Sequence, residues 1–306
     1  MNILVSGLLN TETDVAVRQF PIPYYPIDYN FFGINTFVGG VAFNIAKALT
    51  VLGDNVRLAS LIGRDITANQ IKSELQELSI DTKFIKQKLD RTPNSAVLYD
   101  NEGKRQIYCD LKNIQETEYE FERSMLKDID LVVACNINFN RPLLRIAKEE
   151  GKPIATDVHV LSNIEDEFNC EFMKYADILF LSDENIGGNY QDFIFQLAKI
   201  YNNKIIVLGR GGEGAAIYTQ ESDSIAEFPA FKTEKIVNTV GAGDSLFSAF
   251  LHYYINGYEV YEALRRAQIF ASHKITCNGA SNGFLSEKEI NKIAEKLNID
   301  EEDIEI

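Results

Sequence analysis

Six short apolar runs constrain this fold more than any other feature of the chain: NILVSG (2–7), VRLASLIG (56–63), DLVVAC (130–135), KPIATDV (152–158), DILFLS (177–182) and KIIVLG (204–209). Each is too short for a helix, rich in Val, Ile and Leu, and apolar at successive rather than alternate positions. Strands with that pattern are buried on both faces, as in a parallel sheet. Helix-period segments lie between them: AFNIAKALTVLG (42–53), ITANQIKSELQELS (66–79), RPLLRIAKEEG (141–151) and NYQDFIFQLAKIYN (189–202). Gly53 and Gly151 stand where helix C-terminal glycines belong. The alternation predicts βαβ units and a three-layer α/β/α body on a mostly parallel sheet.

Two stretches break the rhythm. Residues 14–37 alternate polar and apolar at first, then carry prolines and many aromatics; residues 95–110 read as two strands around the hairpin signal Asn101-Glu102-Gly103. They predict a small antiparallel sheet with one aromatic face. Its segments, at about 12–37 and 95–110, are expected as insertions in a single domain spanning 1–306.

A chain of 306 residues, 45% hydrophobic and 25% charged, has the length and balance of an ordinary soluble α/β protein. Its formal net charge of −15 argues against nucleic acid or an anionic membrane as partner, but not against a phosphate-bearing ligand at a locally positive site. Cys109, Cys135, Cys170 and Cys277 form no CxxC pair, so neither a zinc site nor a disulfide framework is expected. The start MNILVSGLLN has no signal-peptide pattern and no apolar run reaches the length of a membrane span, so a cytoplasmic protein is expected. His159, His252 and His273 lack partners at ligand spacing and read as structural. The acidic tail EEDIEI reads as solvated.

The chemistry concentrates in VNTVGAGDSLFSAF (237–250). Gly241 and Gly243 flank Ala242 at the mouth of a helix whose Leu246, Phe247, Phe250 and Tyr254 are spaced to face the core. Glycine is retained where backbone turns sharply or approaches another group, and a helix start exposes unpaired N–H groups at the positive end of the dipole. The stretch therefore reads as an anion cradle with an acid, Asp244, inside it. A capping acid behind a tight turn is the plain alternative, but capping does not require both glycines. The functional reading has Asp244 take a proton from an alcohol while the cradle holds the phosphoryl group under attack. No GxxxxGK[ST] occurs, so this is not a Walker-type loop.

At these residues the chain resembles the ribokinase-like (PfkB) family of carbohydrate kinases. The family's C-terminal motif is D-T-x-G-A-G-D, and here it reads Asn238-Thr239-Val240-Gly241-Ala242-Gly243-Asp244. The family's N-terminal motif is similar to VGGVAFNIAKALTVLGDNVRLASLIGRD (38–65), with its Gly-Gly, its Asn and its closing G-x-D. The resemblance runs through nearly the whole chain in order. It implies a ribokinase-like α/β body with a small β lid, ATP as donor, Mg²⁺, and transfer to a hydroxymethyl group of a sugar or nucleoside.

Carried over position by position, the resemblance makes Asp244 the catalytic base and Gly241, Ala242 and Gly243 its anion hole. Gly39, Gly40 and Asn44 match substrate-binding positions. There the glycines let backbone approach a polyol, and the Asn offers both donor and acceptor to vicinal hydroxyls. The other reading of Asn44 is a helix-start cap. The family's N-terminal substrate-binding Asp falls on Glu12 when counted from Gly7, with Asp14 in reserve. VLGRGGEGA (207–215) resembles the nucleotide loop, with Gly209 where Thr or Ser is usual, Gly211 and Gly214 in place, and Arg210 adding a positive charge near the expected phosphates. NGASNG (278–283), opening on Asn278-Gly279, resembles the loop along the adenine. The family's N-x-x-E motif is not kept. Ser182-Asp183-Glu184-Asn185 stands in its place, leaving Asp183 and Glu184 as candidates for Mg²⁺.

The expectation is an ATP- and Mg²⁺-dependent kinase acting on a hydroxymethyl group of a small sugar. A nucleoside kinase, including the pseudouridine type, is the alternative within enzymes, and a non-catalytic binding or regulatory member is the alternative of another class. A small-molecule sugar or nucleoside is the expected partner, together with a second copy of the chain meeting it through the lid.

Overall fold

The computed structural model describes residues 1–101, 104–233 and 235–299. Glu102 and Gly103 of the hairpin signal, and the tail EEDIEI, lie outside the described residues. In chain order the strands are β1 (Asn2–Ser6), β2 (Asn10–Ala16), β3 (Ile34–Gly39), β4 (Asn55–Ile62), β5 (Ile85–Gln87), β6 (Asn94–Tyr99), β7 (Arg105–Asp110), β8 (Leu131–Ala134), β9 (Ile154–Val160), β10 (Ile178–Ser182), β11 (Ile205–Gly209), β12 (Ala215–Thr219) and β13 (Ser224–Phe228). The helices are α1 (Val41–Leu52), α2 (Ile66–Glu77), α3 (Arg141–Glu149), α4 (Cys170–Tyr175), α5 (Tyr190–Tyr201), α6 (Ala242–Ile255), α7 (Val260–Lys274) and α8 (Glu287–Lys296).

All six apolar runs become neighbouring strands of one sheet, ordered β13-β12-β11-β10-β9-β8-β1-β4-β5, parallel except at one edge, where β12 pairs antiparallel with both β11 and β13. Successive residues of a strand point to opposite faces. Ile3 and Val5 accordingly enter one core with α1, α2, α6, α7 and α8, while Leu4 enters a second with α3, α4 and α5. That is the three-layer α/β/α body the alternation predicts.

Local signals set the helix ends. Gly53, at φ 102, closes α1 in the left-handed conformation that a side chain resists. The Asp65 side chain caps α2 by accepting from the Ala68 amide at 2.9 Å. Helix α6 is wedged under β10 by Phe247 and Phe250, whose rings lie 4.8 and 5.4 Å from that of Phe180. Truncating either buried ring would cost about 3–5 kcal/mol. Tyr254 stacks on Phe250 at 5.7 Å but stays 36% exposed, and Tyr253 is the tyrosine fully buried. Helix α6 is covered by both α1 and α7, so its buried face is wider than one stripe.

The sheet order reverses at β1. The chain moves outward through β4 and β5 on one side, then returns to β8 on the other. Ligands of open α/β sheets bind at such a reversal, beyond the carboxyl ends of the strands. Here the second sheet, ordered β3-β2-β6-β7, emerges. Its outer pairs are antiparallel as expected, but its central pair, β2 with β6, is parallel. Both strands leave the body from parallel strands, β1 and β5, so they set out in the same direction.

The expected single aromatic face does not form. Tyr24, Tyr25, Tyr29, Phe31 and Phe32 fall in the β2–β3 connection, 53–99% exposed. Pro21, Pro23 and Pro26 in that connection lack the amide a strand pairing requires.

Candidate active site

Lid register decides which side chains meet the body. Residues paired across the strands share a face, so Asn10, Glu12 and Asp14 of β2 line up with Gly39, Phe37 and Asn35 of β3 and with Ser95 and Val97 of β6. Tyr99, Cys109 and Arg105 lie on this same face, and Thr13, Thr36, Ala96 and Tyr108 lie on the other. Both sequence candidates at the N-terminus, Glu12 and Asp14, therefore project from one side. Asp14 is buried and Glu12 half-buried. Burial pushes the Glu12 carboxyl up to about 7, with the charges of Asp14 and Asp244 adding to it. Burial also raises Asp14, against the pull of Lys274.

Gly39 ends β3 opposite Asn10, and Gly40 begins α1 at φ 94, where a Cβ would sit 2.5 Å from the Leu8 carbonyl oxygen. That close approach requires glycine. It sets the start of α1 so that Asn44, in the first turns, reaches Asp244: the Asn44 Nδ2 donates to an Asp244 carboxylate oxygen at 2.7 Å. Its side chain is thus no helix cap. Only the amide N–H₂ can face a carboxylate, so the Asn44 Oδ1 points elsewhere. It is buried without a partner among the described residues, as are Oδ1 of Asn10 and Oδ1 of Asp14. Buried acceptors left open ask for donors from a ligand.

Asp244 stands in the first turn of α6. Gly241 precedes the helix at φ 78, its Cα pressed so close to the Ala280 carbonyl that a Cβ would lie 2.2 Å from that oxygen. Of the expected cradle, Gly241, Gly243 and Asp244 surround the helix mouth, but the Ala242 amide is engaged with the Thr239 carbonyl at 3.2 Å. Burial raises the Asp244 carboxyl above the ordinary Asp value, while His159 and the Asn44 hydrogen bond pull it back.

The loop expected to meet the nucleotide follows β11. Gly209 ends the strand; Gly211 and Gly214 take φ of 50 and 111, and a Cβ at Gly214 would overlap the Phe228 carbonyl. Arg210 departs from expectation. Its guanidinium is held by Glu213 and, at 2.9 Å, by Glu227, over the Tyr190 ring. Two carboxylates neutralise it, so it braces the loop rather than presenting free charge. Gly279, at φ 80, lies buried with exposed Asn278 beside it in the loop after α7, its Cβ position 3.6 Å from the Phe37 ring. Asp183 is half-buried, its amide tied to the Gly209 carbonyl at 3.0 Å, and burial raises its carboxyl. Glu184 is exposed and pairs with Arg105 of the lid at 3.7 Å.

Residues 2–288 match the family model described as pfkB family carbohydrate kinase. The chain belongs to this family. It is a ribokinase-family carbohydrate or nucleoside kinase, a phosphotransferase with an alcohol group as acceptor. It is 25% identical to a ribokinase of Dictyostelium discoideum, over 95% of this chain and 99% of that one. It is 24% identical to a nucleoside kinase of Methanocaldococcus jannaschii, over 80% of each. Among solved structures, an Arabidopsis thaliana ribokinase complexed with ribose and ATP superposes with a TM-score of 0.79 at 18% identity, over 95% of this chain and 98% of that one.

Three residues beside Asp244 and the segment before it escaped the sequence reading. His159, taken as structural, sits at the end of β9 with Asp157, and their ligand atoms and one of Asp244 lie within 4.8 Å of one another. The signal was D-x-H at the carboxyl end of a central strand. Lys274, the last residue of α7, is fully buried and donates to the carbonyls of Asn238 (3.2 Å) and Val240. No helix in the described residues is long and apolar enough to cross a membrane.

Proposed function

We propose that the protein transfers the γ-phosphoryl group of ATP to a hydroxymethyl group of a small, uncharged polyol, with Asp244 as the base. The carrying observation is the Asn44–Asp244 contact beside three open buried acceptors. Oδ1 of Asn10, Asp14 and Asn44 accept hydrogen bonds from successive sugar hydroxyls. The carboxylates of Glu12, Asp14 and Asp244 disfavour an acceptor that already carries a phosphate. Asp244 removes the proton of the attacking hydroxyl, and Asn44 holds its carboxylate in place. The amides at the mouth of α6 and the dipole behind them hold the transferring phosphoryl group, which asks for positioning and charge neutralisation rather than covalent chemistry.

The donor fits the glycine loops at 209–214 and 278–279 along the carboxyl edge of the sheet. Mg²⁺ fits Asp183, whose half-buried carboxyl is raised by burial against the pull of Arg210, with the charges of Glu213 and Glu184 adding to the rise, strain that a cation relieves. Glu184, already paired with Arg105, suits it less. When bound, the ion neutralises phosphate charge and orients the donor.

The chain is read as one kinase domain with its lid, acting in the cytoplasm where ATP is supplied. Its proposed partner is a second copy meeting the outer lid face at Ile34 and Tyr108, 59% and 56% exposed. A nucleoside acceptor is the second reading, favoured by Tyr99 and Phe37 on the inner lid face and by the nucleoside kinase among the relatives.

The test is ADP release with ATP and Mg²⁺ over pentoses, hexoses, their phosphates and nucleosides. Phosphorylation of an uncharged sugar supports the proposal, and a preference for nucleosides selects the second reading. ATP binding without turnover on any acceptor would make the chain a binding module.

A further inference from the structure

A lysine with no exposed surface requires an explanation, because taking an ammonium out of water is expensive unless it is well coordinated. Lys274 is coordinated by backbone: its Nζ donates to the carbonyls of Asn238 and Val240, immediately before the anion cradle. The carbonyl of one residue and the N–H of the next share a peptide plane and point in opposite directions. Drawing the Val240 carbonyl toward Lys274 therefore aims the Gly241 N–H away from it. Drawing in the Asn238 carbonyl does the same for the Thr239 N–H. The same segment is tied to the end of α7, where the Ile275 carbonyl accepts from the amides of Val237 (2.8 Å) and Asn238 (3.1 Å).

We propose that the Lys274 ammonium is a tethered cation that sets the peptide planes of 238–241, making it a positioning residue for the cradle amides and for Asp244 behind them. It does not touch the reacting atoms. Its charge also balances the three acids of the site, Glu12, Asp14 and Asp244, which in turn draw its titration upward. Burial is the larger influence and lowers it to about 8.

The proposal rests on the kinase reading for its catalytic consequence, but its structural part is tested without turnover. Lys274→Ala leaves a space that ends at the carbonyls of Asn238 and Val240, where an ammonium ion can take the place of the Nζ. Ammonium chloride is expected to raise the melting temperature of this variant more than equimolar sodium chloride does, with no such difference in the wild type. With the acceptor found in the screen, Lys274→Met should keep its acceptor KM within about threefold and lose roughly 10–100-fold in kcat. Ammonium should restore part of the turnover of Lys274→Ala. Equal responses of variant and wild type to the two salts, or a Lys274→Met kcat within threefold of wild type, would overturn the proposal. A wild type inert on every acceptor would sink the kinase reading and leave the salt comparison standing.

Discussion

Asn44 and Asp244, 200 residues apart in the chain, are joined by a 2.7 Å hydrogen bond that couples the first turns of α1 to those of α6. Each end is fixed by a glycine pressed against a carbonyl, Gly40 on Leu8 and Gly241 on Ala280. The two segments that carry the family resemblance thus meet at one carboxylate.

If that carboxylate is the base, Asp244→Asn should fold and bind ATP normally yet lose about 10²–10⁴-fold in turnover. Single-turnover phosphorylation by the purified variant checks this. A rate within threefold of wild type would remove Asp244 from the mechanism.

Asn44→Leu tests the coupling. Asp244 accepts a proton only when ionised, so kcat falls as pH drops through its raised pKa. The Asn44 hydrogen bond favours the ionised form. Its loss should move the acid limb of the kcat profile to higher pH and lower kcat at neutral pH by ~10–100-fold, the range for a hydrogen bond to a charged group. An unmoved limb would mean that Asn44 serves the acceptor alone.

The body was legible because its signals are local. Apolar runs gave strands, Gly53 ended α1, and Gly241 and Gly243 marked the mouth of α6. What was not legible depends on segments far apart in sequence. Arg210 looked like free charge because one of its partners, Glu227, comes from β13, and β13 returns beside the loop only in the folded sheet. Lys274 carried no signal in the sequence, because a lysine in the last turn of a helix ordinarily complements the dipole from an exposed position. Its burial follows from α7 packing on α6 and on the loop before it. The parallel β2–β6 pair was hidden for the same reason, since no turn joins those strands.

Glu12 makes a stability prediction. Its carboxyl is raised from 4.5 to about 7 in the folded state. Between those values the folded protein holds more protons than the unfolded chain, so this group's contribution to stability falls as pH rises through about 7. Glu12→Gln removes that loss. The variant should gain on wild type by ~1–2 kcal/mol between pH 5 and pH 8, allowing for screening at a half-buried site. Thermal melts at the two pH values read the difference, and a constant offset would show that Glu12 is not strained.

Asp183 and Glu184 should part company. Asp183→Ala is expected to shift the Mg²⁺ dependence of initial rate to higher concentration by about an order of magnitude, and Glu184→Ala to leave it within twofold. Matching curves for both variants and wild type would place the metal elsewhere.

The two faces of the lid separate its two proposed uses. Tyr99 lies on the inner face with Glu12 and Asp14, its hydroxyl raised by burial and by the charge of Asp14. Tyr108 and Ile34 lie on the outer face and are more than half exposed. A contact between two lids is isologous, so one substitution acts twice at its centre. Ile34→Asp and Tyr108→Asp should therefore yield monomers by light scattering. Tyr99→Ala should leave the molecular mass unchanged and act on the acceptor instead. If the ring stacks on a nucleobase, its loss raises KM for nucleosides by ~10-fold or more while KM for free sugars stays put. A rise for sugars and nucleosides alike would mean that Tyr99 only closes the lid over Glu12 and Asp14. An unchanged mass for both outer-face variants would leave the lid serving its own protomer alone.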